Sequence, residues 1–265
     1  MSLQPFTTIA RMALLAGILV TPLSPSVAQD TSRVTTSPIL DEFERFDRKR
    51  WYVSEGWSNG DHQNCTWSGD ALAKSQDRGV ELKFLSADVT GGDPLCAEIQ
   101  TRAWFRYGTF EVRMRTDLAS GLNAAFFLYA GPVHNQPHDE IDFELLTKSP
   151  NLLWLNHWVD GDDRGEGETI TFEGDPEGFH DYALIWEPDR VRWFVDGELV
   201  RDVTDPIPSR RMKVYFSHWG SGTLSEWMGK YEKPGTPVVM EITRFAYTPP
   251  GMDCSFPDSI TCDLP

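Results

Sequence analysis

The chain has 265 residues, with 40 Asp and Glu against 24 Lys and Arg and a net charge of −16. That imbalance argues against nucleic acid and anionic lipid as partners and leaves neutral or weakly charged ligands. No stretch approaches the roughly 18–20 apolar residues needed to span a membrane as a helix.

In chain order, residues 1–28 read as an export signal: Arg11, an apolar run from Met12 to Val20, then Ser26-Val27-Ala28 as a small-residue cleavage site. Arg11 is the only charged residue there, so the remaining 265 − 28 = 237 residues carry −16 − 1 = −17. The expectation is a secreted protein, periplasmic or extracellular. Residues 29–38 are polar and predict a flexible leader. Residues 39–250 read as one domain and 251–265 as a tail closed by Cys254 and Cys262. Four cysteines behind an export signal predict disulfides. Three pairings are possible, and chain order favours Cys65–Cys96 with Cys254–Cys262. None lies in a C-x-x-C pair, which argues against zinc or redox use.

From residue 39 onward, short β patterns alternate with turn residues. Phe110 to Arg115 alternates apolar and charged. Gly121 to Tyr129 is mostly apolar, as in a strand covered on both faces. Arg190 to Val195 alternates again and runs into Asp196-Gly197, a hairpin signal. No amphipathic helix exceeds two turns and no long-period repeat is visible. The prediction is an all-β fold, a sandwich or jelly roll. With 10 Trp, 15 Phe and 7 Tyr, most aromatics must fill the core. Trp57, Trp158 and Trp219 sit beside polar residues and are candidates for platforms that stack on sugar rings.

The segment His138-Asp139-Glu140-Ile141-Asp142-Phe143-Glu144-Leu145-Leu146 carries the chemistry. In a strand, Ile141, Phe143 and Leu145 share one face and Glu140, Asp142 and Glu144 the other. Three carboxylates in a row repel one another and are a poor choice for stability. Glu140 and Glu144 have Cα atoms about 13 Å apart, and inward-leaning side chains bring their carboxyls to about 5 Å, the separation of a retaining glycosidase. Asp142 lies between them, and its charge would keep the acid protonated. The competing readings are a solvated acidic face or a calcium cluster. A second acidic stretch, Asp160 to Glu168, has Arg164 where a calcium ligand is needed and reads as a solvated turn.

Asp139-Glu-Ile-Asp-Phe-Glu144 resembles the E-x-D-x-E signature of glycoside hydrolase family 16, which includes the lichenases, endo-β-1,3-1,4-glucanases. Further motifs resemble that family in order: Ser58-Asn59-Gly60, Asn64-Cys65-Thr66-Trp67, Cys96-Ala97-Glu98, Phe126 to Pro132, Gly178 to Tyr182, Trp193 to Gly197, and Trp219 followed by Trp227-Met228-Gly229. A narrower likeness is to secreted bacterial endoglycanases that depolymerise succinoglycan-type exopolysaccharide. It rests on His62 to Trp67, Glu98 to Arg102, Pro137 to Glu140 and the Cys254–Cys262 tail. The resemblance implies a β-jelly-roll of two curved antiparallel sheets with a concave cleft. It implies Glu140 as nucleophile, Glu144 as acid/base and Asp142 as assisting carboxylate. It places Trp57, Asn59, Glu98, Gln100, Tyr129, His138, Asn156, Trp158 and Trp219 at the substrate.

Three departures bear on specificity. His138 stands where lichenases carry Trp, Gln100 replaces a typical Arg, and Ser217 a typical Asn. A fourth bears on cofactors: Thr243 stands where the family often has a calcium-ligating Asp. No cofactor or metal is required, and a structural calcium is left open. The expected activity is hydrolysis of internal β-1,3/1,4-glucosidic links of a β-glucan or exopolysaccharide by a monomer, without nucleic-acid or membrane partners. The alternatives are a β-1,3-glucanase or transglycosylase of the same family, or a non-catalytic sugar-binding jelly roll.

Overall fold

The computed structural model describes residues 34–76, 79–163 and 167–262. The expected export signal lies outside them. In chain order the strands are β1 (Ile39–Asp41), β2 (Trp51–Val53), β3 (Thr66–Trp67), β4 (Leu72–Lys74), β5 (Val80–Phe84), β6 (Leu95–Thr101), β7 (Gly108–Thr116), β8 (Leu122–Ala130), β9 (Asp139–Leu146), β10 (Leu152–Trp158), β11 (Glu168–Thr171), β12 (His180–Glu187), β13 (Arg190–Val195), β14 (Glu198–Val203), β15 (Lys213–Gly220) and β16 (Val238–Thr248). The two α-helices among the described residues, Ala87–Thr90 and Ser225–Met228, are single turns.

The strands form two eight-stranded sheets. One runs β14-β13-β12-β7-β16-β5-β4, with β1 on β16; the other runs β11-β10-β9-β8-β15-β6-β2, with β3 on β6. Every pairing is antiparallel except β3 with β6. The fold is thus the all-β jelly-roll sandwich predicted. The expected hairpin forms at Asp196-Gly197, where both residues take positive φ, 49° and 83°, the geometry of a tight primed turn.

Period-two patterning builds the core. Ile141 and Phe143 of β9, Phe126 and Leu128 of β8, and Val214 and Phe216 of β15 are fully buried against the inner residues of β7 and β12. Phe126 stacks on Phe143 at 6.0 Å and on Phe216 at 5.3 Å. Each such side chain contributes about 2–3 kcal/mol of burial, so the register of β8, β9 and β15 is strongly specified. A one-residue slip would turn these rings to water and the carboxylates into the core.

Two further contacts fix the acidic strand. Trp193, reaching from the opposite sheet, donates its indole N–H to the Asp142 carbonyl at 2.9 Å. At the strand's start, the fully buried Asp139 accepts from the Asp160 backbone N–H at 3.0 Å and pairs with Arg210 at 3.0 Å. A buried carboxylate requires such partners. Both predicted disulfides are present, Cys65–Cys96 and Cys254–Cys262. At the end of the polar leader, Val34 bridges Trp104 and the Thr35 N–H donates to its carbonyl at 2.8 Å.

Candidate active site

Directly paired residues of antiparallel strands share a face. The register therefore lays the outward residues of the second sheet in three rows across its strands. The first reads Trp158–Glu140–Tyr129–Lys213. The second reads Asn156–Asp142–Phe127–Tyr215–Gln100–Tyr52. The third reads Trp154–Glu144–Ala125–Ser217–Glu98. Strands lie about 4.8 Å apart, so each row is a track several sugar rings long, with a carboxyl group from β9 on it.

A groove of about 970 Å³ lies over these rows. Glu140, Glu144, Glu98, Gln100, Tyr129, His138, Trp57, Asn59 and Trp219 all line it. Asn156 and Trp158 share the face without lining the groove: Asn156 is buried opposite Asp142, and the Trp158 ring stacks on His138 at 4.8 Å. Trp57 and Asn59 reach the groove from the loop before β3. The Cys65–Cys96 disulfide ties the end of that loop to β6, and the Gln63 amide donates to the Cys65 carbonyl at 2.9 Å.

Electrostatics separate the carboxyl groups. Burial pushes Glu144 up to about 7; the Asn123 amide opposes that rise, and the charge of Glu140 adds to it. Asp142 is held well above its usual range, first by burial and then by the charges of Glu140 and Glu144. A hydrogen bond to Glu140 raises it further, and the charge of Arg201 opposes the rise. Glu144 is raised by burial and by the charge of Glu140; the charge of Asp142, expected from the sequence to keep the acid protonated, is not among those causes. Glu98 is a fourth acid in the groove, only 3% exposed; burial pushes it up to about 7 against the Ser54 hydroxyl that donates to it at 2.5 Å.

His138 touches Glu140 directly, Nε2 to Oε2 at 2.5 Å, and meets the Tyr129 ring edge-on at 5.3 Å. It thus contacts a catalytic candidate as well as the groove. On the far side, the Gly131 N–H donates to His134 Nδ1, which leaves Nε2 to donate to the Tyr215 hydroxyl. That hydroxyl and Lys213 both donate to the Gln100 side-chain carbonyl, at 3.1 and 3.2 Å.

Several residues of the site escaped sequence reasoning: Tyr215, Lys213, Arg102 and His134 on the groove, and the buried Asn123 and Ser54 that hydrogen-bond Glu144 and Glu98. Asn123 had a signal, a lone polar residue inside the apolar run Gly121–Tyr129. The others required the strand register. Calcium does not fit at Thr243: its hydroxyl donates to the Arg113 carbonyl at 3.3 Å, and the guanidiniums of Arg113 and Arg244 pair with Asp181. Of the acidic stretch 160–168, residues 164–166 lie outside the described residues; Asp160 pairs with Arg210 at 2.6 Å.

Residues 59–234 match the model of glycosyl hydrolases family 16. Over 226 residues the chain is 44% identical to endo-1,3-1,4-beta-glycanase ExoK of Rhizobium meliloti (strain 1021), covering 84% of this chain and 83% of that protein. It is 32% identical to a beta-glucanase of Paenibacillus macerans, covering 87% of this chain and 96% of the relative. Among solved structures, Bacillus licheniformis beta-glucanase matches with a TM-score of 0.76 at 28% identity, over 81% of this chain and 99% of that one.

Proposed function

This chain belongs to glycosyl hydrolase family 16 and is a glycoside hydrolase of the endo-1,3-1,4-beta-glycanase type, and we propose that it works by double displacement with retention at the anomeric carbon. Glu140 attacks that carbon while Glu144 protonates the departing glycosidic oxygen. Glu144 then takes a proton from the water that releases the sugar from Glu140. Asp142, hydrogen-bonded to Glu140, holds the nucleophile between the two steps. The observation that carries this reading is the electrostatics of β9: Glu144, buried and pushed up to about 7, keeps its proton near neutral pH on the same strand face as Glu140.

The substrate we assign is a β-1,3/1,4-linked polysaccharide, a β-glucan or a succinoglycan-type exopolysaccharide. The narrower choice draws support from Arg102 and Lys213, two cations on the groove of an acidic protein. They can meet the free carboxylates of succinyl groups, which a neutral glucan lacks. Tyr52 and Trp104 support them, with cation-to-ring distances of 5.5 and 5.2 Å. The disulfides support export, and the protein acts as a monomer.

One experiment tests chemistry and substrate together: wild type and Glu140→Ala on lichenan and succinoglycan, with and without azide. The wild type cleaves at least one of them. Glu140→Ala loses about 10³-fold or more in kcat, and azide restores turnover with an α-glycosyl azide as product. Full activity in Glu140→Ala, or no turnover of either polymer by the wild type, overturns the reading.

A further inference from the structure

Asn123 is the residue of this site that the mechanism above does not use. It is fully buried, on β8, on the same face as Ala125 and Tyr129. Leu146 of β9 and Trp219 of β15 are its cross-strand neighbours. A polar side chain at such a position is unfavourable unless its hydrogen bonds are made. Asn123 makes only half of them: Nδ2 donates to Glu144 Oε2, while Oδ1 is buried without a partner. A residue kept for packing would be apolar, like Leu122, Ala124 and Phe126 around it. One kept for its own hydrogen-bond balance would not leave its carbonyl unmet.

We infer that Asn123 is a positioning residue for the acid/base step, holding one oxygen of Glu144 so that the other carries the proton into the groove. The inference rests on the acid/base role proposed for Glu144. A carboxylic acid has one oxygen with a proton and one without, and an amide N–H can donate only to the second. With Oε2 occupied by Asn123, the proton resides on Oε1. As the C1–O bond to the leaving sugar breaks and the bond from C1 to Glu140 forms, that proton passes to the glycosidic oxygen. Glu144 becomes an anion, and the same N–H stabilises it. Among the described residues, the groups that the register sets around Glu144 include no cation. Glu140 and Asp142 lie on its own strand and Glu98 across the groove; Trp154, Ser217 and Trp219 on the flanking strands are neutral.

The test is Asn123→Leu, nearly isosteric, with kcat/KM followed against pH on lichenan and on an activated aryl β-glycoside that needs no proton to depart. The alkaline limb should move up by about one pH unit, because a donor to the anion is gone. Lichenan turnover should fall about 10-fold or more, while the aryl substrate stays within about threefold of wild type. An unmoved limb with equal losses on both substrates would reduce Asn123 to packing and overturn the inference. A limb that moves down would overturn it too, since the amide would then be accepting from protonated Glu144. If Asn123→Leu does not fold, Asn123→Ala removes the amide without crowding and carries the same expectations. Glu144→Gln separates the parent reading: equal loss on both substrates there sinks the acid/base role itself, and this inference with it.

Discussion

Glu98→Gln should stabilise the protein, and by an amount that grows with pH. Glu98 is 3% exposed, and burial raises it from 4.5 to about 7. Below pH 4.5 the carboxyl is neutral in folded and unfolded chains alike. Between 4.5 and 7 the unfolded chain releases a proton that the folded chain retains, so wild-type stability falls as pH rises. Above 7 both forms are ionised, and the folded state bears the full cost of a buried anion. A shift of 2.5 units at about 1.36 kcal/mol each gives roughly 3 kcal/mol. Gln keeps the acceptor for Ser54 and has no proton to lose. For a domain of this size the gap in Tm should be near zero at pH 4.5 and widen to roughly 6–12 °C by pH 8. Calorimetry of both proteins across that range provides the measurement. A gap that is constant with pH, or a wild type that is the more stable at pH 8, would refute the assignment of Glu98 as a buried acid held neutral by the fold. Turnover should also suffer, since Glu98 lines the groove beside the catalytic row.

Two other outcomes follow from the site. The kcat/KM profile on lichenan should lose activity as pH rises through about 7, the value to which burial brings Glu144, because a general acid must hold its proton. A limb that falls away only above pH 9 would contradict that. Replacing Cys65 and Cys96 together by Ser opens a loop with a sequence separation of 31 and should cost about 3–4 kcal/mol in chain entropy, seen as a lower Tm. KM should rise as well, since the bridge anchors at Cys65 the end of the preceding loop that carries Trp57 and Asn59; an unchanged KM would show that this loop holds its shape without the bridge.

The face of each carboxylate was legible from alternation alone, because β9 is buried on one side and Ile141 and Phe143 leave only one way to turn. The hairpin at Asp196-Gly197 was legible because two positive φ values admit few residue pairs. The depth of Asp142 was not. Alternation places it between two glutamates, but its burial depends on parts of the chain brought in from far away: Trp193 holds its backbone carbonyl, and the charge of Arg201 opposes the rise that burial causes. Asn123 shows the same limit. Its identity was visible as a polar interruption, yet its partner depends on β8 lying against β9 in one register, which no local pattern encodes. Asn156 and Trp158 were placed on the correct face by resemblance, but the groove passes them by, and His138 stands between Trp158 and Glu140.

The three rows that cross the second sheet have a consequence for how such a protein can change. Each strand lends one residue to the groove and the next to the core, so a point substitution on the outward positions alters what the groove reads without altering interior volume. Insertions and deletions obey the opposite rule. A single added residue in β8, β9 or β15 would exchange the two sets and be lethal to folding. Divergence in substrate choice should therefore accumulate as substitutions within strands, while changes of length gather in connecting loops such as the one bearing Trp57.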